Sequence, residues 1–192
     1  MGKRTAPRII AGKLRGKHLK SVPGTITRPI TDRVKENLFN IIRGEIPGSR
    51  FLDLFAGTGS VGIEAYSQGA AYVQFVEKNQ QPYLILQNNL NLIPDRSAFS
   101  LIRTDAYKFI ITGAVENPFD IIFIAPPQYK GMWEETLSLI EQYPNLCKPN
   151  GMLIVQIDPI ELKEVSFTNF FEIDRRKYGS TLLLFFRKAN AQ

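Results

Sequence analysis

Phe51-Leu52-Asp53-Leu54-Phe55-Ala56-Gly57-Thr58-Gly59-Ser60-Val61-Gly62 begins as an apolar run, passes a carboxylate and breaks into a glycine turn, and the stretch from Ser60 to Gln68 then reads as a helix stopped by Gly69. Glycines at such a junction let the backbone pass close to a ligand, and the first N–H groups of the helix present partial positive charge there. A strand, a glycine turn and a helix form the opening unit of a parallel α/β sheet. The same rhythm continues downstream. Tyr72–Val76 reads as a second strand, Gln80–Leu90 as a helix with Pro82 harmless in its first turn, and Ser100–Arg103 as a third strand. A short helix over Ala106–Thr112, a buried strand over Asp120–Ile124, an amphipathic helix over Met132–Gln142 and a strand over Gly151–Ile157 follow. Phe170–Lys177 and Ser180–Lys188 read as two strands joined too tightly for a crossover, so one of them runs antiparallel. The expected fold is an α/β domain with a seven-stranded, mostly parallel sheet and one antiparallel strand.

Upstream of the glycine turn, Ile9–Leu19 reads as a β-hairpin turned by Gly12 and Gly16. Arg33–Ile42 reads as a helix capped by Thr31 or Asp32, with Val34, Leu38, Ile41 and Ile42 at helical spacing, and Pro47-Gly48 ends it. This gives a division into a basic extension over 1–48 and a main domain over 49–192. At 192 residues the chain has the size of one domain able to bury a core, and 44% apolar with 22% charged residues excludes disorder and fibrous structure. The lone Cys147 excludes a disulfide framework and any zinc site built from paired cysteines, and no metal is expected. No apolar run approaches the ~20 residues that cross a bilayer, and no signal peptide is legible, so a soluble, cytoplasmic protein is expected.

Charge is distributed unevenly. Residues 1–50 carry twelve Lys/Arg against three acids, a net of +9, while the remainder carries −3. A basic segment on a mildly acidic body suits a polyanion, and the alternation of bases with glycines and β-formers in Arg8-Ile-Ile-Ala-Gly-Lys13-Leu-Arg15-Gly-Lys17 suits a hairpin that projects side chains at nucleic-acid phosphates. The bland alternative is a solvated lysine-rich surface. His18 reads as a surface or phosphate contact, Cys147 as a core residue, Trp133 as packing or a lining of the substrate mouth, and Tyr178-Gly179 as a turn.

The glycine string Gly57-Thr-Gly59-Ser-Val-Gly62 fits the dinucleotide pattern, and Glu77 lies twenty residues past Gly57, where a ribose-binding acid belongs. A nicotinamide oxidoreductase is therefore one reading. Two features favour S-adenosylmethionine instead. Asp53 at the strand end would repel a pyrophosphate but suits the cationic amino group of a methionine moiety. Asp105, after the third strand, can accept a hydrogen bond from an adenine amino group. The candidate cofactor set is Asp53, Phe55, Gly57, Gly59, Glu77 and Asp105. As simple helix caps, Asp53 and Asp105 would need no ligand at all.

After the fourth strand comes Ile124-Ala125-Pro126-Pro127-Gln128-Tyr129, where two prolines fix φ and aim carbonyl oxygens from the C-terminal edge of the sheet. Here the chain resembles the amino-methyltransferases of the Rossmann-like class I superfamily, whose signature is [D/N]-P-P-[Y/F]. More closely it resembles the RsmD family, bacterial enzymes that methylate the exocyclic N2 of a guanine in 16S ribosomal RNA. The resemblance covers nearly the whole chain: Arg8-Ile-Ile-Ala-Gly12 with Arg15-Gly16, Thr27-Arg28-Pro29 with Asp32-Arg33-Val-Lys-Glu36 and Leu38-Phe39, then Leu52–Gly59, Glu77 and the proline pair. It implies S-adenosylmethionine across the strand ends, 16S rRNA within the small subunit or its precursor as partner, and no membrane. It implies catalysis at Ala125, Pro126, Pro127 and Tyr129, and RNA contacts at Arg8, Lys13, Arg15, Lys17, Arg28 and Arg33.

The chain departs from that family at the catalytic loop. Ala125 stands where the family has Asp or Asn, and Gln128 where it has an aromatic, with Tyr129 one place later. A guanine amino group is a poor nucleophile, so its N–H bonds must be held by acceptors that turn the lone pair toward the methyl. Main-chain carbonyls of Ala125 and Pro126, with a borrowed side chain, are one way to do that. A different target atom such as adenine N6, or SAM and RNA binding without turnover, are the other outcomes.

Overall fold

The computed structural model describes residues 7–22, 30–112 and 117–190. Five helices and seven strands alternate along these residues: α1 Asp32–Ile41, β1 Arg50–Asp53, α2 Ser60–Ser67, β2 Tyr72–Val76, α3 Gln80–Asn89, β3 Phe99–Ile102, α4 Ala106–Thr112, β4 Phe119–Ile124, α5 Met132–Gln142, β5 Cys147–Ile157, β6 Phe170–Tyr178 and β7 Thr181–Lys188. The strands form one sheet in the order β3-β2-β1-β4-β5-β7-β6. β7 pairs antiparallel with both β5 and β6, and every other pairing is parallel. The two-residue turn between β6 and β7 leaves no length for a parallel return. This is the expected sheet. Its order reverses between β1 and β4, the crevice where open α/β sheets bind ligands.

Apolar alternation along the strands divides the core into two. Phe51, Phe75, Phe123, Ile154 and Phe185 face α1, α2 and α3, together with Ile9, Leu14 and Leu19 from the N-terminal segment. Leu52, Ile122, Leu153, Leu184 and Phe186 face α4 and α5. At roughly 25 cal/mol per Å² of buried apolar surface, these two layers dominate the stability of the sheet.

Three elements differ from expectation. The Ile9–Leu19 reversal is held by one antiparallel bridge, Arg8 with His18, and a 3₁₀ turn over Gly12–Leu14, not by a two-stranded ladder. Its tip lies against α2 instead of projecting: a Cβ on Gly12 would stand 1.8 Å from the Ser67 carbonyl oxygen, and Leu14 N–H donates to Ser67 Oγ. β1 ends at Asp53, two residues short of the strand Phe51–Phe55 that the apolar run predicts, although Leu54 N–H still donates to the Phe123 carbonyl. β5 begins at Cys147, four residues early, because the ladder steps over a bulge from Phe119↔Cys147 to Ile121↔Met152 and leaves Pro149 and Asn150 exposed within the strand.

Candidate active site

Asp53 is the last residue of β1 and is 2% exposed. Its Oδ2 accepts the N–H of Gly62 in the first turn of α2, at 2.9 Å. Burial pushes its carboxyl up to about 7; the Gly62 N–H opposes that rise and the charge of Glu77 adds to it. Glu77 follows β2, also buried, and its two oxygens accept from Gly57 N–H at 2.8 Å and Asn79 N–H at 2.7 Å. Asp105 caps α4 by accepting from Tyr107 N–H and also meets Lys78 Nζ at 3.0 Å. Partial burial alone would raise its carboxyl, but the Lys78 hydrogen bond and the helix N–H groups outweigh it and hold it below the ordinary value. The three acids thus stand at the C-terminal ends of three adjacent strands.

Between them the glycine loop is shaped for a guest. Gly57 has φ +54° with nothing within 4 Å of the position a Cβ would occupy, whereas Gly59, at φ +84°, is closed in by Leu86 and Ile63. Phe55 is half-buried and packs against the α4–α5 side of the core. The donor set fits S-adenosylmethionine. Carboxyl acceptors at three neighbouring strand ends would suit a ligand that offers an amino group, ribose hydroxyls and an adenine amine, and would oppose a pyrophosphate.

The diproline loop lies one strand away, since Asp53 pairs with Phe123. Ala125 is half-buried, Pro126 buried, Pro127 exposed and Gln128 half-buried. Tyr129 is 65% exposed at φ +62°, a backbone region costly for an aromatic residue. It is held there from the turn that follows β5: its N–H donates to Glu161 Oε1 at 2.7 Å and its hydroxyl to Asp158 Oδ2 at 2.8 Å. Asp158 and Glu161 form a capping box around the 3₁₀ turn Pro159–Glu161. That box is legible as Asp-Pro-x-Glu, but its hold on Tyr129 was not anticipated.

In the basic segment, Arg8, Lys13, Arg15, Lys17 and Arg33 are all exposed, and Arg28 lies outside the described residues. Arg8 pairs with Asp32 at 3.1 Å, and Lys13 sits 4.5 Å over the Tyr66 ring. Lys35 behaves differently. Fully buried, it pairs with Glu64 at 3.3 Å and donates to the Arg8 carbonyl and to Ser60 Oγ. Burial lowers its ammonium while Glu64 opposes the drop. Glu64 also accepts from Ile10 and Ala11 N–H. On the other flank of the loop, Asn89 donates to the Thr58 and Lys20 carbonyls. The segment is therefore fastened on both sides of Gly59, at Thr58 and at Ser60. His18 is exposed, Cys147 is buried with its thiol pushed up to about 12 by that burial, and Trp133 is core packing at 1% exposure. Among the described residues no group of His, Cys, Asp and Glu could hold a metal ion, and no helix is long and apolar enough to cross a membrane.

Sheet order, acid-tipped strands and proline loop together define the class I methyltransferase architecture. The chain belongs to the RsmD family: the family described as Conserved hypothetical protein 95 matches residues 7–187. Relatives named ribosomal RNA small subunit methyltransferase D are 36% identical in Haemophilus influenzae, covering 79% of this chain and 78% of the relative, and in Buchnera aphidicola of Acyrthosiphon pisum, covering 77% and 76%. The solved structure of yhhF from Escherichia coli superposes with a TM-score of 0.83 at 29% identity, over 96% of this chain and 98% of that one. SMU.776, complexed with SAH, shares the fold at TM-score 0.66 and 16% identity, over 81% of this chain and 48% of that one.

Proposed function

We propose that the chain transfers a methyl group from S-adenosylmethionine to the exocyclic N2 of a guanine in 16S ribosomal RNA, presented within the small ribosomal subunit or its precursor. The cofactor supplies an electrophilic sulfonium methyl. Asp53 and the Gly57–Gly59 backbone hold its methionine part, Phe55 borders it, Glu77 takes the ribose hydroxyls and Asp105 the adenine. Arg8, Lys13, Arg15, Lys17, Arg28 and Arg33, in the extension over 1–48, grip phosphates. The target base, flipped from its stack, enters the pocket formed by Ala125, Pro126, Pro127 and Tyr129, whose exposed ring is a stacking surface. The leaving group is a neutral thioether, so transfer needs no metal.

The observation that carries the reading is the set of three acids at neighbouring strand ends, with an open Gly57 bound to one of them, which favours S-adenosylmethionine over a nicotinamide dinucleotide. The names of the relatives support the small-subunit substrate. Radiolabelled methyl transfer to small subunits lacking the modification, followed by mapping of the labelled nucleotide, tests it. Label on a guanine N2 is the expected result. Label on an adenine, or salt-sensitive RNA binding with no label, would replace it with one of the alternatives that Ala125 raises.

A further inference from the structure

We infer that Gln156 supplies the side-chain acceptor that Ala125 lacks, its Oε1 taking a hydrogen bond from the amino group of the target base. This rests on the reading above and names the residue that completes its pocket. The parallel register of β4 and β5 runs Phe123↔Ile154 and Ile124↔Val155, so its next step sets Gln156 beside Ala125. Phe123 and Ile154 share one side of the sheet, and Ala125 packs against that same cluster, so alternation brings Gln156 to the same side. Two residues further along, Asp158 holds the Tyr129 hydroxyl. Gln156 therefore lies beside the truncated catalytic position and two residues from the side chain that holds the Tyr129 ring.

Its chemistry is anomalous for a structural glutamine. Oε1 of Gln156 is shielded from water and has no hydrogen-bond partner among the described residues. Such an acceptor carries a desolvation penalty that an arriving N–H donor relieves, and the terminal amide turns about a soft torsion to meet it. An amide oxygen is also the right strength of acceptor here. It orients the N–H bond without removing the proton. The nitrogen lone pair forms the new N–C bond to the methyl carbon as the S–C bond breaks with its electron pair left on sulfur, and the surplus proton on nitrogen then leaves to water.

The test compares wild type with Gln156→Leu, Gln156→Glu and Gln156→Leu combined with Ala125→Asn, all assayed for methyl transfer to unmodified small subunits, cofactor binding by calorimetry and thermal unfolding. Gln156→Leu is expected to lower kcat on the order of 100-fold, with cofactor and subunit affinity within about twofold of wild type and unfolding temperature unchanged or raised. Gln156→Glu keeps an acceptor and stays within about tenfold of wild type. Ala125→Asn restores at least about tenfold of the lost rate to the leucine variant, which a packing role for Gln156 would not produce. Should leucine not fold, Gln156→Met is read in its place. A leucine or methionine variant with wild-type kcat, or no rescue by Ala125→Asn, overturns the assignment. If wild type itself methylates no small subunit, the reading of function fails first.

Discussion

The ends of β1, β2 and β3 are finished before any ligand arrives, whereas the ends of β4 and β5 are not. On the first side Asp53, Glu77 and Asp105 each already hold backbone N–H groups, and the loop between them is fastened from outside through Ser60 and Thr58. On the second side stand a truncated Ala125, an aromatic ring two-thirds exposed and an amide oxygen with no donor among the described residues. The difference follows from what each side receives. A small cofactor of fixed shape rewards preorganisation, because nothing then has to be ordered when it binds. A base extruded from RNA brings its own donors and planar face, and the side that meets it offers an exposed, hydrogen-bonded tyrosine and an amide oxygen with no donor among the described residues.

The comparison predicts that damage on the finished side appears in folding and cofactor binding. Lys35→Ala should have the largest effect. It leaves the Glu64 carboxylate buried beside the Ile10 and Ala11 N–H groups with its cation gone, and breaking such a pair costs about 3–5 kcal/mol. Urea unfolding measures it, and a loss below about 1 kcal/mol would mean the pair fastens nothing. Next comes Asp53. Its carboxyl is raised from 3.8 to about 7, so the stability it contributes is present below pH 3.8 and lost as pH rises toward 7, where ionisation without a counter-charge is unfavourable. A cationic amino group reverses that penalty. Affinity for S-adenosylmethionine should therefore rise by up to about tenfold per pH unit between roughly pH 5.5 and 7. Asp53→Asn should flatten the slope and weaken binding at pH 7 by about 10–100-fold. Calorimetry across that range decides; a slope that survives in the Asn variant would assign it elsewhere, although the single histidine, His18, lies out in the basic segment.

Much of this was legible. Strand–helix alternation and turn chemistry gave the sheet and its antiparallel strand, and Asp53, Glu77 and Asp105 lie where strand ends put them. What escaped depended on contacts between distant segments. Gly12 reads as a turn residue, and only the approach of Ser67 shows that its tip is docked. Lys148-Pro149-Asn150-Gly151 carries every mark of a loop, yet β4 tolerates it as a bulge. In the sequence Lys35 is one of the twelve bases that give residues 1–50 their positive charge. Its spacing to Leu38, Phe39 and Ile42 places it on the inward face of α1, but nothing local says that Glu64 waits there. Gln156 sits in an apolar run, and its lack of a donor is a property of the whole neighbourhood.

On the unfinished side, damage should spare folding and appear in turnover. Tyr129→Ala removes a ring with little packing to lose, so unfolding should shift by less than about 0.5 kcal/mol. The KM for small subunits should rise about 5–100-fold, the worth of stacking one base. Tyr129→Phe keeps the ring, gives up the hydroxyl bond to Asp158 and costs only a few-fold. Equal losses in the two variants would make the hydroxyl, not the ring, the working part.

The smallest effect separates two lysines of one segment that look alike in sequence. Lys17 is exposed and Lys35 is buried. Lys17→Ala, and equally Arg15→Ala, should leave unfolding unchanged and reduce the slope of log affinity for RNA against log salt by about one unit each. At low salt the affinity itself falls only a few-fold, since one phosphate contact among several is lost. Titrations at several salt concentrations read this directly. A basic surface that merely solvates the protein would give parallel lines for wild type and variants, and the phosphate grip assigned to the segment would then have to be withdrawn while its structural attachment through Lys35 stood.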